Sequence, residues 1–97
     1  MDEKKFKVNF TPTAQRHIEA LETDIALQLT RDIKTYLEST PLPFGKSRIK
    51  KITAYRPPLY RMRSGDYRAY YRIFSQEVIV LAITNKKDSE KILKKLK

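Results

Sequence analysis

The sequence predicts an α+β fold: a mostly antiparallel β-sheet with an N-terminal helical hairpin packed on one face and a short C-terminal helix (β-α-α-β-β-β-β-α). Three observations predict it. Between residues 18 and 37 the apolar residues recur every three or four positions, the period of a helix with one buried stripe. From residue 48 onward the period changes to two, the period of strands. Finally, the strand patterns follow one another after the helices, with no helical pattern between them, which favours α+β over alternating α/β.

The elements follow in order. Phe6, Val8 and Phe10 alternate with Lys7 and Asn9, giving a first strand over about 5–10. Thr11-Pro12 starts a helix, because threonine caps and proline suits the first turn. Ile18, Leu21, Ile25, Leu29, Ile33 and Leu37 form the apolar stripe. "LETD" (21–24) interrupts it with cap and turn formers, so two joined helices compete with one long helix. "STPLPFGKS" (39–47) holds two prolines and the first of two glycines, and is a loop within one domain. "RIKKITA" (48–54), "LYRMR" (59–63) and "YRAYYRIF" (67–74) are strands. "VIVLAIT" (78–84) is continuously apolar, as a strand buried on both faces should be. "DSEKILKKLK" (88–97) is a short amphipathic helix using Ile92, Leu93 and Leu96, with Asp88 as its cap.

With 97 residues and 40% apolar content the chain supports one small domain spanning 1–97. Cysteine is absent. That excludes a disulfide framework and a thiolate metal site, and it fits a reducing cytoplasm. The N-terminus is charged and lacks the apolar run of a secretory signal. No apolar stretch approaches the length of a membrane span.

Charge is the largest anomaly. The net value is +10, and it is unevenly spread. Residues 1–45 hold six Lys/Arg against seven Asp/Glu, whereas residues 46–72 hold nine Lys/Arg against Asp66 alone. From Asn85 the tail adds six lysines against Asp88 and Glu90. A solvated basic face is the competing reading, but soluble surfaces ordinarily mix signs. A polyanionic partner, most simply nucleic acid, accounts better for the segregation.

Strand alternation says where this charge points. Arg61 and Arg63 share one face of their strand, opposite Tyr60 and Met62. Arg68, Tyr70 and Arg72 share a face of the next, opposite Ala69, Tyr71 and Ile73. A two-residue turn at Ser64-Gly65 sets Arg61 across from Arg68, leaving Arg61, Arg63 and Arg68 on one side of the sheet. Facing cations repel, so this arrangement asks for an anion. Tyr60 and Tyr71 belong with the core. Tyr70, beside Arg68, is either a base-stacking residue or a partly exposed structural one.

The hairpin "LYRMRSGDYRAYYRI" followed by "VIVLAITNKKD" resembles the RelE/ParE superfamily of toxins from type II toxin–antitoxin systems. Those proteins share a Tyr-Arg-x-Arg-x-Gly-Asp-Tyr-Arg hairpin and an apolar strand ending in a basic cluster. The resemblance covers nearly the whole chain and implies one of two activities. RelE-like members cut messenger RNA in the ribosomal A site, while ParE-like members inhibit DNA gyrase. On the RelE-like reading, the resemblance implies phosphate contacts from Arg61, Arg63 and Arg68. It places Lys86 and Lys87 in the basic cluster. Lys50, Lys51, Tyr70 and Arg72 are the further RNA-binding candidates. It also implies a cognate antitoxin, with the ribosome and mRNA as partners. Two departures stand out, and they raise a further alternative, a catalytically weakened nucleic-acid-binding relative. The segment "SEKILKKLK" has no aromatic residue where RelE-like enzymes commonly carry a tyrosine, and lysine replaces arginine at 86–87.

The residue types limit the chemistry. Cleavage through the 2′-hydroxyl needs a base, cations for the phosphorane oxygens and an acid for the leaving oxygen. His17 is the only histidine and reads as a solvated helix residue, so a histidine pair is excluded. No carboxylate cluster of metal-binding kind falls on the sheet, so neither a metal nor another cofactor is expected. Electrostatic catalysis by arginines remains, with Lys86 or Lys87 as the base, because crowding by cations favours a neutral amine.

Overall fold

The computed structural model describes residues 6–43 and 48–96. The elements run β1 (Lys7–Phe10), α1 (Pro12–Glu19), α2 (Thr23–Leu37), β2 (Ile49–Ile52), β3 (Leu59–Ser64), β4 (Tyr67–Phe74), β5 (Glu77–Asn85) and α3 (Ser89–Lys95). This is the predicted α+β order, and the interruption at "LETD" resolves as two helices. Residue 5 of the predicted first strand, residues 44–47 of the predicted loop and residue 97 of the predicted last helix lie outside the described residues.

Local chemistry explains the boundaries. Thr11 Oγ1 accepts the Ala14 N–H at 3.1 Å, and Pro12 occupies the first turn of α1. Before α3 the expected cap is replaced. The Asp88 side chain makes no capping bond; instead Asn85 Oδ1 accepts the Asp88 N–H at 2.7 Å.

The five strands form one sheet in the order β1-β5-β4-β3-β2. β1 runs parallel to β5, and the other pairs are antiparallel. α1 and α2 cover one face. Leu29, Ile33 and Leu37 of α2 and Ala14 and Ile18 of α1 are buried against Tyr60, Met62, Ala69, Tyr71, Val78 and Val80. Each fully buried large side chain stabilises the fold by about 2 kcal/mol. The Tyr60 and Tyr71 rings stack with centroids 5.6 Å apart. The Tyr71 hydroxyl donates to the Pro41 carbonyl at 2.6 Å, tying the 39–43 loop to the core. Burial, then Tyr60, pushes the Tyr71 hydroxyl well above its ordinary pKa, so it remains a donor.

The other face carries a second, smaller cluster. Tyr55, Leu59 and Tyr70 are buried there beneath Ile52, Leu81, Ile92 and Leu93 of α3, and Leu96 at the C-cap of α3. With helices on both sides, β5 is apolar on both faces, as its sequence indicates. Among the described residues no helix is long and apolar enough to cross a membrane.

Candidate nucleic-acid interface

The β3–β4 hairpin sets the register of the basic face. Its two-residue loop is Gly65-Asp66, because Ser64 still pairs with Tyr67. The expectation of a Ser64-Gly65 turn is therefore corrected by one residue. Ser64 stays in the strand because it is 6% exposed and its hydroxyl donates to Asp32 Oδ2 of α2 at 2.7 Å. Gly65 takes the positive φ of +58° at the first loop position, as a II′-type hairpin requires.

This shift changes the partners and keeps the face. Arg63, not Arg61, stands opposite Arg68, and Arg61 stands opposite Tyr70. Moving the turn by one residue slides the register by two, so Arg61, Arg63 and Arg68 still project to one side. Across β2, Lys50 pairs with Arg61 and joins that side. Lys51 pairs with Tyr60, a core residue, and so projects from the helix-covered side, where it remains exposed. The sheet thus separates the two neighbouring lysines.

At the turn end of the hairpin Arg63, Arg68 and Lys86 line a cavity of about 280 Å³ together with Gly65, Asp66 and Tyr67. The Lys86 N–H donates to the Asp66 carbonyl at 3.1 Å, which fixes the end of β5 against the turn. Lys87 is exposed and is not among the lining residues. A larger cavity of about 340 Å³ lies between the turn and α2, lined in part by Asp24, Asp32 and Asp66. Its carboxylates repel anions, so the basic cavity is the one suited to phosphate.

Toward α3 the face becomes buried. Tyr70 is 0% exposed. In this conformation it offers no ring face to a base, against the stacking alternative for it. The Tyr70 hydroxyl, Arg61 Nε and Arg72 Nε are buried without a hydrogen-bond partner among the described residues. Burial, then the Arg68 charge, lowers the Arg61 pKa from its ordinary value; Arg63 adds to this and Tyr70 opposes it. The guanidinium still stays charged at neutral pH. Arg68 Nη1 donates to Ser89 Oγ at 3.3 Å, joining the basic face to α3.

Two features escape the sequence reading. One is the role of Ser89. The other is the cover that α3 lays over part of the arginine face. A signal existed: Leu59 shares the face of Arg61 and Arg63, and the Ile92/Leu93/Leu96 stripe needed an apolar surface. His17 is also corrected. It is half-buried, and its Nδ1 accepts the Ile83 backbone N–H at 3.0 Å. Among the described residues no group of three His, Cys, Asp or Glu side chains is placed to hold a metal ion.

The sequence matches, over residues 8–94, the family described as ParE toxin of type II toxin–antitoxin system, parDE. No curated protein matches. Among solved structures, the chain resembles the toxin–antitoxin complex RelBE2 of Mycobacterium tuberculosis, with 26% identity and a TM-score of 0.70 over 90% of this chain and 98% of that one. It also resembles the RelE–RelB complex of Pyrococcus horikoshii OT3, with 21% identity and a TM-score of 0.69 over 84% and 96%. A mutant RelE toxin of E. coli in the free state matches with 21% identity and a TM-score of 0.61 over 92% of each chain. At these identities the last two establish the fold alone.

Proposed function

The chain belongs to the ParE toxin family of type II toxin–antitoxin systems, and from that premise we propose that it is a cytoplasmic, single-domain toxin that cleaves messenger RNA on the ribosome. The observation that carries this reading is the cavity lined by Arg63, Arg68 and Lys86, continued across the sheet by Arg61 and Lys50. A phosphodiester seated there receives guanidinium donors on its non-bridging oxygens. Those donors stabilise the charge that builds as the 2′-oxygen attacks. Arginine holds its proton too tightly to exchange it. Lys86, the lysine that lines the cavity, is therefore the proposed proton carrier: it takes the 2′-hydroxyl proton as that oxygen bonds phosphorus and returns it to the 5′-oxygen as the P–O5′ bond breaks. Lys87, outside the lining, has an electrostatic role only. Lys51, on the opposite side, makes no contact with the scissile strand.

Such a site supplies charge and little proton transfer. It depends on a second body to hold the RNA in line, which is the service the ribosome provides. The cognate antitoxin is proposed to present a segment that is apolar on one side and acidic on the other. RelE-like relatives solved as complexes with RelB support a partner of this kind.

A second reading is inhibition of DNA gyrase. The family description and the absence of an aromatic residue from α3 favour it. Two assays separate the readings: cleavage of mRNA on programmed ribosomes, and gyrase supercoiling. The nuclease reading expects cleavage by the wild type and a loss of about 100-fold or more in rate for Arg68→Ala. Arg68→Lys should recover only part of it, since a point charge loses the planar fork. Supercoiling inhibition without cleavage selects the second reading. Growth inhibition that survives both Arg63→Ala and Arg68→Ala removes the arginine site from either.

A further inference from the structure

The face of the sheet beneath α3 holds donors that the fold does not use. The Tyr70 hydroxyl, Arg61 Nε and Arg72 Nε are all buried, and none has a hydrogen-bond partner among the described residues. Folded proteins pair nearly all such groups, so three on one face call for an explanation. All three are donors, two of them belong to cations, and an anion satisfies all three.

These donors continue the open basic cavity. Arg63 and Arg68 face each other at its floor, and the next pair on the same side is Arg61 with Tyr70. Alternation places Arg72 one step further along β4. The row therefore runs from open solvent to a position under α3. Its steps are two residues apart, about 7 Å along a strand, a spacing suited to successive charges of an extended chain.

The cover over this row is slight. α3 has seven residues. Its apolar anchors Ile92, Leu93 and Leu96 are each only half-buried. Among the described residues, two side-chain ties hold it: Arg68 to Ser89 Oγ at 3.3 Å, and the Tyr55 hydroxyl to the Leu93 carbonyl at 2.8 Å. One of those ties uses Arg68, a residue of the open cavity. An anion that takes Arg68 thus competes directly with α3. Lys91, Lys94 and Lys95 are exposed on the helix, so releasing it keeps its charge beside an incoming polyanion.

We propose that the surface under α3 is a second, latent phosphodiester site for single-stranded RNA, built from Tyr70, Arg61 and Arg72, and that α3 undocks to admit the strand. This deepens the proposed function and rests on its assignment of RNA as the ligand. The Tyr70 hydroxyl donates to a non-bridging phosphate oxygen, and the two Nε–H groups donate beside it. The open cavity binds one phosphate, and the latent site binds a neighbouring one only after the helix has left.

The test measures the affinity of the full chain for a short 2′-O-methyl RNA, which binds without being cleaved. Tyr70→Phe removes a hydroxyl with no partner among the described residues in the closed state, so it should leave the melting temperature unchanged or raised while weakening RNA binding about five-fold. Tyr55→Phe removes a tie to α3 and should strengthen binding by a similar factor. The double variant should lose that gain. Hydrogen exchange of the α3 amides should accelerate when the RNA saturates the wild type. Unchanged affinity in Tyr70→Phe, or α3 amides equally protected with and without RNA, overturns the proposal. So does a Tyr70-dependent affinity for polyglutamate with none for RNA, which would make the surface a protein-binding one. None of these readouts needs cleavage. Tyr70-dependent binding without ribosomal cleavage keeps the latent site and removes the nuclease. Ribosomal cleavage with Tyr70-independent binding does the reverse.

Discussion

His17 completes the edge of β5 where β1 has run out. β1 pairs with residues 77–80 only, and past that point α1 lies against β5. Thr11 Oγ1 donates to the Leu81 carbonyl at 3.1 Å, and His17 Nδ1 accepts the Ile83 N–H at 3.0 Å. The acceptor nitrogen must be unprotonated. Burial, then the Arg16 and Lys95 charges, lowers the His17 pKa from 6.5 accordingly. Between that depressed folded value and the unfolded value, the unfolded chain binds more protons, so stability rises with pH there. The contribution is fully present above about pH 6.5 and is lost as pH falls toward and through the folded pKa. Chemical denaturation of the wild type should show this loss over the histidine range. His17→Asn, which keeps an acceptor that does not titrate, should flatten it. His17→Ala should cost about 1–3 kcal/mol at neutral pH, because the Ile83 N–H, on a residue only 4% exposed, loses its partner. None of this was legible beforehand. His17 lies between exposed Arg16 and buried Ile18 on α1, so helical period leaves its side undecided, and only the crossing of α1 over β5 makes this histidine an edge partner.

At the scale of elements, the two consecutive hairpins use the same device with different residues. The β3–β4 loop is Gly65-Asp66 and the β4–β5 loop is Ser75-Gln76; in each, the first residue takes φ +58°. Glycine adopts that angle freely, whereas serine meets its Cβ there. A Cβ at Gly65 would find nothing within 4 Å, so Gly65→Ala tests backbone conformation alone and should destabilise by about 1 kcal/mol. Ser75→Gly should stabilise by a few tenths to about 1 kcal/mol, the relief of strain being partly offset by a more flexible unfolded chain. Urea midpoints should move in opposite directions with unchanged slopes, and a fall for both variants would refute the common turn. Most of the elements were readable from period alone, because helix and strand patterns here are long and consistent with their burial. The exact hairpin loop was not, since "RSGD" admits two placements of a two-residue turn and only the Ser64–Asp32 bond decides between them. The docking of α3 was hidden for a related reason: strand alternation reports a face, but not what lies over it.

The whole molecule sorts its charge by layer. A near-neutral N-terminal part supplies the helices on one side of the sheet, and the basic strands direct most of their cations to the other. Not all of that excess is available to a ligand. Arg48 sits 4.2 Å over the Tyr36 ring and joins β2 to α2, and Lys51 projects to the helical side. Net charge alone therefore overstates the binding surface, and the dependence of RNA affinity on salt measures the difference. Each cation that contacts a phosphate of a single strand adds about 0.7 to the slope of log affinity against log salt. Lys50 and Lys51 are equal in charge, adjacent in sequence and both exposed, yet only Lys50 lies beside Arg61. Lys50→Ala should lower the slope by about 0.7 and weaken binding at low salt. Lys51→Ala should leave the slope unchanged, although both variants remove the same net charge. Equal slopes for the two variants would mean that RNA responds to overall charge and not to this face. An affinity too weak to measure even at low salt would leave a protein surface, such as that of gyrase, as the partner of the basic layer.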